Sequence, residues 1–463
     1  MAGMATGARR SRLPTKYSTS SNTPVDRVVR RRLLQGIGAA LLHSKAASSF
    51  GASDGRGDRL PTGKSIDKKQ SANVKNENVA YGRDTLPDGI RSRFIDNNNG
   101  ATLHVLEAGF EYPGRPCVVL LHGWPELAYT WRNQLLPLAR AGFHVVAPDQ
   151  RGYGRSAGTD VTFDEDILPF SLLNHVSDTL GLVRALGHDK VAAIIGHDWG
   201  SQMAAWCALV RPDVFRSVVL MSTPFAGPPT LPLNTAAGRE NPSSDVDIEK
   251  ALAALSPPRK HYIYYCATRG ANDNMWHAPQ GVHDFLRALY HFKSADWKGN
   301  QPFELKAWAA SELAKMPNYY IMDLNKGMAE TVAAAMPAKA QIDACKWLTE
   351  EDLRVYSAEY ARTGFQGGLQ SYRILTTPKY SADLMGFSGR TIDVPSCYVA
   401  GAREWGVYQW PGALETMQSS ACTRMLGVHL VAGSGHSVPE EQPDEVNRIL
   451  IEFLQRAEVR RHV

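Results

Sequence analysis

The chain has 463 residues, of which 43% are hydrophobic and 9% aromatic, enough to form a sizeable core. Its formal net charge of +5 is concentrated in the first 52 residues, which hold nine Lys or Arg residues and one acidic residue, Asp26. Because the remaining chain is slightly acidic, we do not expect it to bind nucleic acid or an anionic membrane surface. No apolar run approaches the roughly 20 residues that span a bilayer, so no integral membrane segment is expected.

The first 88 residues lack the pattern of a globular domain. Residues 1–52 are basic, and a run at residues 30–34 (RRRLL) precedes a short apolar stretch at 36–42 and small residues at 46–48. This order resembles a twin-arginine export signal, which predicts a periplasmic or secreted protein if the source is bacterial. A mitochondrial presequence, or a disordered tail on a cytoplasmic protein, is the alternative. Residues 53–88, rich in Gly, Ser, Asn and Lys, are predicted to form a flexible linker.

From residue 89 the pattern is that of strands alternating with helices. Helical periodicity occurs between apolar runs, for example at residues 172–186 and 201–210. Runs that are apolar on both faces are typical of parallel strands covered by helices. These runs are residues 117–121, 144–147, 191–195, 217–221 and 396–400. Residues 89–224 are therefore predicted to form the first part of a doubly wound, mostly parallel α/β sheet.

The alternation stops after the run at residues 217–221, which is placed as the sixth strand of the sheet although only four apolar runs precede the insertion. Residues 225–390 are mostly helical in pattern, with clusters of Tyr and Trp and frequent Pro, and strand signals resume in residues 391–463. Ligands of open α/β sheets bind at the carboxyl ends of the strands, so a helical insertion here predicts a lid over that edge. The alternative is an independent helical domain.

A candidate nucleophile follows the predicted strand at residues 191–195. The sequence at 196–200 (GHDWG) lies between this strand and a helix, which is the layout of a nucleophile elbow with Asp198 at its apex. Gly196 and Gly200 occupy positions where a Cβ would clash in so tight a turn. The amino end of the helix favours an anionic carboxylate, although an ordinary N-cap Asp would occupy the same position.

A serine-hydrolase motif also occurs, at residues 154–158 (GRSAG), but in an unsuitable context. It precedes a polar stretch where an elbow needs a helix, so we interpret it as a loop. A carboxylate nucleophile instead suits displacement at a saturated carbon that carries an epoxide oxygen or a halide. Such an attack would leave an alkyl ester on Asp198, which water must then hydrolyse.

Three motifs connect the sequence with an enzyme family. Residues 122–132 (HGWPELAYTWR), 149–154 (DQRGYG) and 196–200 (GHDWG) resemble, in order and spacing, the motifs of α/β-hydrolase epoxide hydrolases. The resemblance covers roughly residues 90–225 and 355–455. The resemblance is highly specific for family members with an aspartate nucleophile. It distinguishes less well between enzymes that act on epoxides and enzymes that act on haloalkanes. It implies that water opens a small apolar epoxide to a vicinal diol.

The resemblance also implies roles around Asp198. The backbone N–H groups of Trp124 and Trp199 would form an oxyanion hole for the tetrahedral intermediate of ester hydrolysis. Residues 432–437 (AGSGHS) follow a predicted strand and resemble the family's catalytic histidine loop. His436 is therefore the expected base for the hydrolytic water.

The acid that orients His436 is expected just after the preceding strand. Relatives usually carry Asp where this chain has Glu404, and Glu can serve the same role. Asp393 and Glu415 are weaker candidates.

The predicted lid contains candidate proton donors. Residues 360–373 (YARTGFQGGLQSYR) resemble the family's lid segment that ends in Tyr followed by Arg, which points to Tyr372. Residues 260–265 (KHYIYY) resemble the segment with the second tyrosine, where Tyr262 is expected and Tyr265 is the alternative. A phenol can hydrogen-bond an epoxide oxygen and give its proton to the alkoxide.

Two other functions fit the same residues. A haloalkane dehalogenase would share the Asp198 nucleophile, although that class tends to carry Asn where this chain has Trp124. A non-catalytic α/β-hydrolase scaffold that serves as a binding protein is the other alternative. No metal or organic cofactor is implied, because the six cysteines form no CxxC motif and no Cys–His cluster along the sequence.

Overall fold

The computed structural model describes residues 85–229 and 247–459. The predicted basic leader at residues 1–52 lies outside the described residues, as do most of the predicted linker and residues 230–246 of the predicted lid. Within the described ranges, no helix has both the length and the apolar character needed to cross a membrane.

In the described residues, ten strands form a central eight-stranded sheet and a separate two-stranded sheet. The strands are β1 (Arg91–Asp96), β2 (Thr102–Ala108), β3 (Cys117–Leu121), β4 (His144–Pro148), β5 (Val191–His197), β6 (Val218–Met221), β7 (Arg259–His261), β8 (Ile321–Asp323), β9 (Ser396–Gly401) and β10 (Met425–Val431). The large sheet has the order β1-β2-β4-β3-β5-β6-β9-β10, and β7 pairs with β8 separately. The pairs β1–β2 and β2–β4 are antiparallel, and the other pairs of the large sheet are parallel.

Helices alternate with the strands and fill the insertion after β6. Those of the first part of the core are α1 (Arg132–Arg140), α2 (Leu172–Ala185) and α3 (Trp199–Val210). We call residues 247–390 the helical segment; it holds α4 (Ile248–Ala253), α5 (Tyr262–Cys266), α6 (Gly270–Trp276), α7 (Gly281–Lys293), α8 (Ala310–Leu313), α9 (Met328–Ala333), α10 (Lys339–Ala344), α11 (Glu350–Thr363), α12 (Gln366–Thr376) and α13 (Pro378–Ser381). The last part of the core holds α14 (Ala413–Thr416), α15 (Val438–Glu441) and α16 (Pro443–Val459).

The sheet is covered on both faces because its central strands are apolar at successive positions. Every residue of β3 and β5 is buried. Alternate residues of β3 belong to two different hydrophobic clusters, Val118 and Leu120 to one and Val119 and Leu121 to the other. Since successive side chains of a strand point to opposite faces, one cluster lies on each face of the sheet. The predicted doubly wound, mostly parallel sheet is confirmed.

Some elements differ from the sequence prediction. The hairpin β1–β2 extends one edge of the sheet, and β1 is largely exposed, so it lacks the continuous apolar run of the central strands. The strands β7 and β8 have three residues each, too few for an alternating pattern to be recognised. Helix α3 begins at Trp199, two residues earlier than the predicted start, because Asp198 itself is the N-cap residue.

The helical segment packs on the loops that follow the sheet strands. Tyr290 of α7 donates a hydrogen bond to the carbonyl oxygen of Pro125 at 2.8 Å, and Tyr360 of α11 donates one to the carbonyl oxygen of Glu126 at 3.2 Å. Phe285 of α7 belongs to the same hydrophobic cluster as the central strands. The segment thus shares its core with one face of the sheet, and both contribute to the site described below.

Candidate active site

Asp198 occupies a strained turn between β5 and α3. Its φ of 53° lies in the left-handed region, which costs a non-glycine residue about 1–3 kcal/mol. A Cβ on Gly196 would lie 1.9 Å from the carbonyl oxygen of Gly200, and a Cβ on Gly200 would lie 2.2 Å from that of Leu121. Only glycine therefore fits on either side of Asp198, and the tight turn holds its side chain at the carboxyl edge of the sheet.

The loop after β3 approaches Asp198 closely. A Cβ on Gly123 would lie 2.4 Å from the Cβ of Asp198, so this position also requires glycine. The backbone N–H of Trp124 donates to Asp198 Oδ1 at 3.0 Å. Trp199 is the first residue of α3, where amide groups have no acceptor within the helix. The residues expected to form the oxyanion hole thus lie beside the carboxylate.

His436 lies between Asp198 and Glu404. Its Nε2 atom is 3.7 Å from Asp198 Oδ2, and its Nδ1 atom is 3.1 Å from Glu404 Oε2. Ser222 Oγ is 3.3 Å from the same Nδ1 atom. His436 is buried, and its Nε2 atom has no hydrogen-bond partner among residues 85–229 and 247–459. The structure therefore brings together the three side chains that the sequence analysis selected as nucleophile, base and acid.

Glu404 is held as a carboxylate by the groups around it. Burial raises its pKa, but the charge and hydrogen bond of His436, the charge of Lys293 and the N–H of Gly406 outweigh burial and lower the pKa to about 2. Tyr320 of the helical segment adds a hydrogen bond from its hydroxyl to Glu404 Oε1 at 3.1 Å. Because an ionised carboxylate only accepts, His436 Nδ1 must carry the proton. The other ring nitrogen, Nε2, faces Asp198.

A cavity of about 270 Å³ lies in front of Asp198. Its polar wall includes the carboxylate of Asp198 and the phenols of Tyr262 and Tyr372. Apolar groups such as Ile263 and Leu375 line much of the remainder. The rings of Tyr262 and Tyr372 meet edge to face, with centroids 5.9 Å apart. The tyrosines from two separate parts of the helical segment thus reach the same cavity as the aspartate.

The two phenols remain protonated at neutral pH. Burial, together with the nearby negative charge of Asp198, raises the pKa of Tyr262 and of Tyr372 well above 10. Tyr265 is placed differently: its hydroxyl donates to Asn274 Oδ1 at 2.6 Å and accepts from the backbone N–H of Met328 at 3.1 Å. Tyr265 therefore fixes packing within the helical segment, whereas Tyr262 lines the cavity.

A buried ion pair that the sequence analysis missed supports the His436 loop. His197 Nδ1 lies 2.9 Å from Glu126 Oε2, and His197 Nε2 lies 2.7 Å from the carbonyl oxygen of His436. Burial lowers the pKa of His197, but Glu126 outweighs burial and raises it to about 9. Both ring nitrogens therefore donate, and the imidazolium links Glu126 to the backbone of His436. Glu126 and His197 each belong to a motif noted in the sequence, but their mutual contact depends on the fold.

The backbone on either side of His436 is anchored by Glu441. Its carboxyl oxygens accept from the N–H groups of Gly435 at 2.9 Å and Ser437 at 3.0 Å. One of them also accepts from Ala295 at 2.9 Å, just after α7. The N–H of His436 donates to the carbonyl oxygen of Lys293 at 3.0 Å. The catalytic histidine loop is thus tied to the helical segment as well as to the sheet.

The remaining candidates lie away from the nucleophile or serve the fold. Asp393 and Glu415 are exposed, and Asp393 accepts from the hydroxyl of Thr391 at 2.7 Å. Ser156, the central residue of the GRSAG motif, is buried in a turn and donates to the carbonyl oxygen of Asp149 at 2.5 Å. The interpretation of that motif as a loop agrees with this placement.

Comparison with known proteins first defines the class. The chain matches the α/β-hydrolase fold family over residues 116–254. Its structure is similar to that of an epoxide hydrolase from an endophytic Streptomyces, with 30% sequence identity and a TM-score of 0.63 over 80% of this chain and 96% of that chain. Epoxide hydrolase A from Mycobacterium thermoresistibile gives 30% identity and a TM-score of 0.60 over 79% and 98% of the two chains. The protein is an α/β-hydrolase, as its sheet and elbow indicate.

The curated relatives then define the family. Epoxide hydrolase A of Mycobacterium tuberculosis is 32% identical over 372 residues, which cover 80% of this chain and 98% of the relative. Epoxide hydrolase B of the same organism is 30% identical over 375 residues, covering 78% and 97%. The chain therefore belongs to the epoxide hydrolase family of α/β-hydrolases, and the resemblance inferred from its motifs is confirmed.

Proposed function

We propose that this enzyme hydrolyses an epoxide to a vicinal diol through a covalent alkyl ester on Asp198. The observation that carries the proposal is one cavity lined by a carboxylate at an elbow and by two protonated phenols, Tyr262 and Tyr372. Both tyrosines line the cavity, whereas the hydroxyl of Tyr265 donates to Asn274. In this position the two phenols can bind an epoxide oxygen while Asp198 attacks carbon.

The first step would open the ring. A carboxylate oxygen of Asp198 forms a bond to an epoxide carbon, and the C–O bond of the ring breaks. The oxygen that leaves is an alkoxide, a strong base that needs a proton. Tyr372 or Tyr262 supplies that proton. Burial raises the pKa of both phenols, so both are protonated at neutral pH, and an alkoxide is a strong enough base to take the proton from either. The product of this step is a hydroxyalkyl ester of Asp198.

The second step would hydrolyse the ester. His436 takes a proton from water through Nε2, and the resulting hydroxide attacks the carboxyl carbon of Asp198. Glu404 stabilises the imidazolium at Nδ1, 3.1 Å away. The N–H of Trp124, already 3.0 Å from Asp198 Oδ1, and that of Trp199 would stabilise the oxyanion. Collapse of the intermediate breaks the bond between the carboxyl carbon and the ester oxygen, and the alkoxide that leaves takes its proton from the His436 imidazolium, which gives the diol. The new carboxyl group of Asp198 passes its proton to the tyrosinate through water, which restores both the carboxylate and the phenol.

The shape of the cavity supports a small apolar substrate. Pro224, Ile263, Leu375 and Trp410 contribute apolar surface, which favours hydrocarbon substituents on the epoxide. We further propose that the helical segment acts as a lid, because it closes the cavity with the same residues that donate the proton. No cofactor takes part in either step.

A haloalkane dehalogenase is the second candidate, because one observation favours it. Trp199 lines the cavity, and its buried indole Nε1 has no hydrogen-bond partner in the described part of the chain, so it could donate to a halide. A panel of apolar epoxides and matched chloroalkanes and bromoalkanes, assayed for diol and for halide release, separates the two. Diol formation without turnover of the haloalkanes supports our proposal. If halide is released and the epoxides are not hydrolysed, the protein is a haloalkane dehalogenase and our proposal is wrong. If the compounds bind but neither product forms, the protein is a non-catalytic scaffold.

A further inference from the structure

A thiol and two imidazoles meet at the edge of the sheet opposite to the active site. Cys117 and His144 are the first residues of β3 and β4 and are Cα partners in the parallel register. His188 lies just before β5. A sulfur or nitrogen atom from each of the three side chains lies within 4.8 Å of the others, although the residues are far apart in sequence.

The environment orients His144 as it would orient a metal ligand. Its Nε2 atom lies 3.0 Å from Oε2 of the buried Glu107, and its Nδ1 atom lies 2.9 Å from His188 Nε2. The guanidinium of Arg91 also donates to Glu107, at 2.8 Å, which keeps that carboxylate an acceptor. His144 thus turns Nε2 to the carboxylate and Nδ1 to His188. A carboxylate that holds the far nitrogen of a ligating histidine in this way is a recurrent feature of zinc sites.

We propose that Cys117, His144 and His188 bind a thiophilic divalent cation, for which Zn²⁺ is the test ion. A thiolate and two imidazoles are ligands that Zn²⁺ prefers, and water would complete a tetrahedral site. On binding, the ion would displace the proton of the buried Cys117 thiol, and that proton would leave for solvent past the half-buried His188. The ion would also replace the hydrogen bond between His144 and His188, and the ligating nitrogen of each imidazole would carry no proton. The ion draws the three ligand atoms together to roughly 3.5 Å from one another. His188, half-buried in a loop, provides both the path from solvent and the freedom to move.

The site is independent of epoxide hydrolysis. The active-site loops follow the carboxyl ends of the strands, whereas Cys117 and His144 stand at their amino ends. The five residues of β3 separate the two edges by about 16 Å. A bound ion would link β3, β4 and the loop before β5, and would therefore stabilise the fold without contacting the substrate. Its role is structural.

Cobalt provides a probe specific for the thiolate. The full-length protein, stripped with a chelator and titrated with Co²⁺, should develop thiolate-to-cobalt charge-transfer absorption in the near ultraviolet with one equivalent bound. Cys117→Ser should lose this absorption, while Cys345→Ser, a matched change outside the cluster, should keep it. His188→Ala should weaken Zn²⁺ binding by about tenfold or more, measured by competition with a chromophoric chelator. Epoxide hydrolysis should be unchanged in all three variants.

The outcomes separate a metal site from a hydrogen-bonded histidine pair. Zn²⁺ should raise the melting temperature of the wild-type protein and have no such effect on Cys117→Ser. Absence of charge-transfer absorption in the wild type, or its persistence in Cys117→Ser, would overturn the proposal. Zn²⁺ bound equally by the wild type and by His188→Ala would do the same, because the ion would then lie elsewhere, for example at Glu126, His197 and His436.

Discussion

The loops of the sheet and the helical segment bring chemically opposite groups to one cavity. From the loops come Asp198 and His436, the proposed nucleophile and base. From the helical segment come Tyr262 and Tyr372, two weak acids. If all four side chains lay on one turn, the phenols would donate hydrogen bonds to the carboxylate and the imidazole and would not be available to the substrate. Their placement on separate parts of the chain keeps a space between base and acid in which a substrate can bind.

The two regions also differ in how firmly they hold their groups. Asp198 and His436 are fixed by backbone N–H groups, by Glu404 and by short loops that admit only glycine. The two phenol rings pack edge to face against each other. In the proposed mechanism, ring opening uses side chains from both regions, whereas the side chains that act in ester hydrolysis, Asp198, His436 and Glu404, all lie on loops of the sheet. Substitutions in the two regions should therefore slow different steps.

The largest effect should follow from Asp198→Ala. Without the carboxylate no ester can form, and we expect the steady-state rate of diol formation to fall by about 10⁴-fold or more. The fold should persist, since alanine is smaller and the neighbouring Gly123 is retained. Steady-state assays with the best epoxide of the panel measure the loss. Substantial residual activity would mean that water attacks the epoxide directly.

Glu404→Gln tests whether the carboxylate of Glu404, on a loop of the sheet, orients His436. Loss of the carboxylate should slow ester hydrolysis by between about 10² and 10⁴ and leave alkylation of Asp198 nearly intact. Glu404→Asp keeps the charge and should recover much of the rate. Glu415→Gln, at the exposed alternative, should behave like the wild type. Single-turnover kinetics resolve the two steps, and a larger loss in Glu415→Gln would move the acid to that position.

Tyr372→Phe tests whether the helical segment supplies the proton for ring opening. We expect alkylation to slow by about 10²-fold while ester hydrolysis is unchanged, because only ring opening needs the proton. Tyr262→Phe should act in the same direction. Tyr265→Phe is the matched control, since its hydroxyl is bonded to Asn274 and does not face the cavity. Equal slowing of both steps in Tyr372→Phe would assign this residue to packing.

Local motifs explain why so many residues of the candidate site could be selected from the sequence. Asp198, Trp124 and His436 belong to short segments whose glycines and flanking strands define their own geometry. The distinction between Tyr262 and Tyr265 could not be made in the same way, because both lie in one apolar stretch. Hydrogen bonds to Asn274 and Met328 withdraw Tyr265 from the cavity, and these contacts depend on tertiary packing.

Contacts between distant segments account for the features that were missed. Glu126 meets His197 across 71 positions, and Tyr320 reaches Glu404 across 84. The sequence around one residue does not predict its partner, because a buried charged group can form hydrogen bonds with many kinds of side chain. The hairpin β1–β2 was not predicted for a different reason. Its strand β1 is largely exposed and therefore lacks a continuous apolar run.

The smallest effect is expected at the amino terminus. Residues 1–52 show no core periodicity and carry a large positive surplus. A chain that begins at Ser53 should retain the wild-type kcat/KM within about twofold, as expected for a change remote from the site. Expression of both forms and assay of diol formation measure this. An inactive or insoluble shortened chain would show that the leader contributes to folding. If the leader is an export signal, as its arginine pair predicts, only the full chain should be exported from a bacterial host.

The most direct test is to trap the ester. In the proposed mechanism His436 acts mainly in the second step, so His436→Gln should accumulate the alkyl-enzyme. Mass spectrometry of the intact protein should show an increase equal to the mass of the epoxide, located on the peptide that carries Asp198. Asp198→Ala should show no such increase, which controls for alkylation of cysteines. If His436→Gln forms no adduct, and wild-type enzyme in labelled water places the label in the diol during the first turnover, then Asp198 is not the nucleophile.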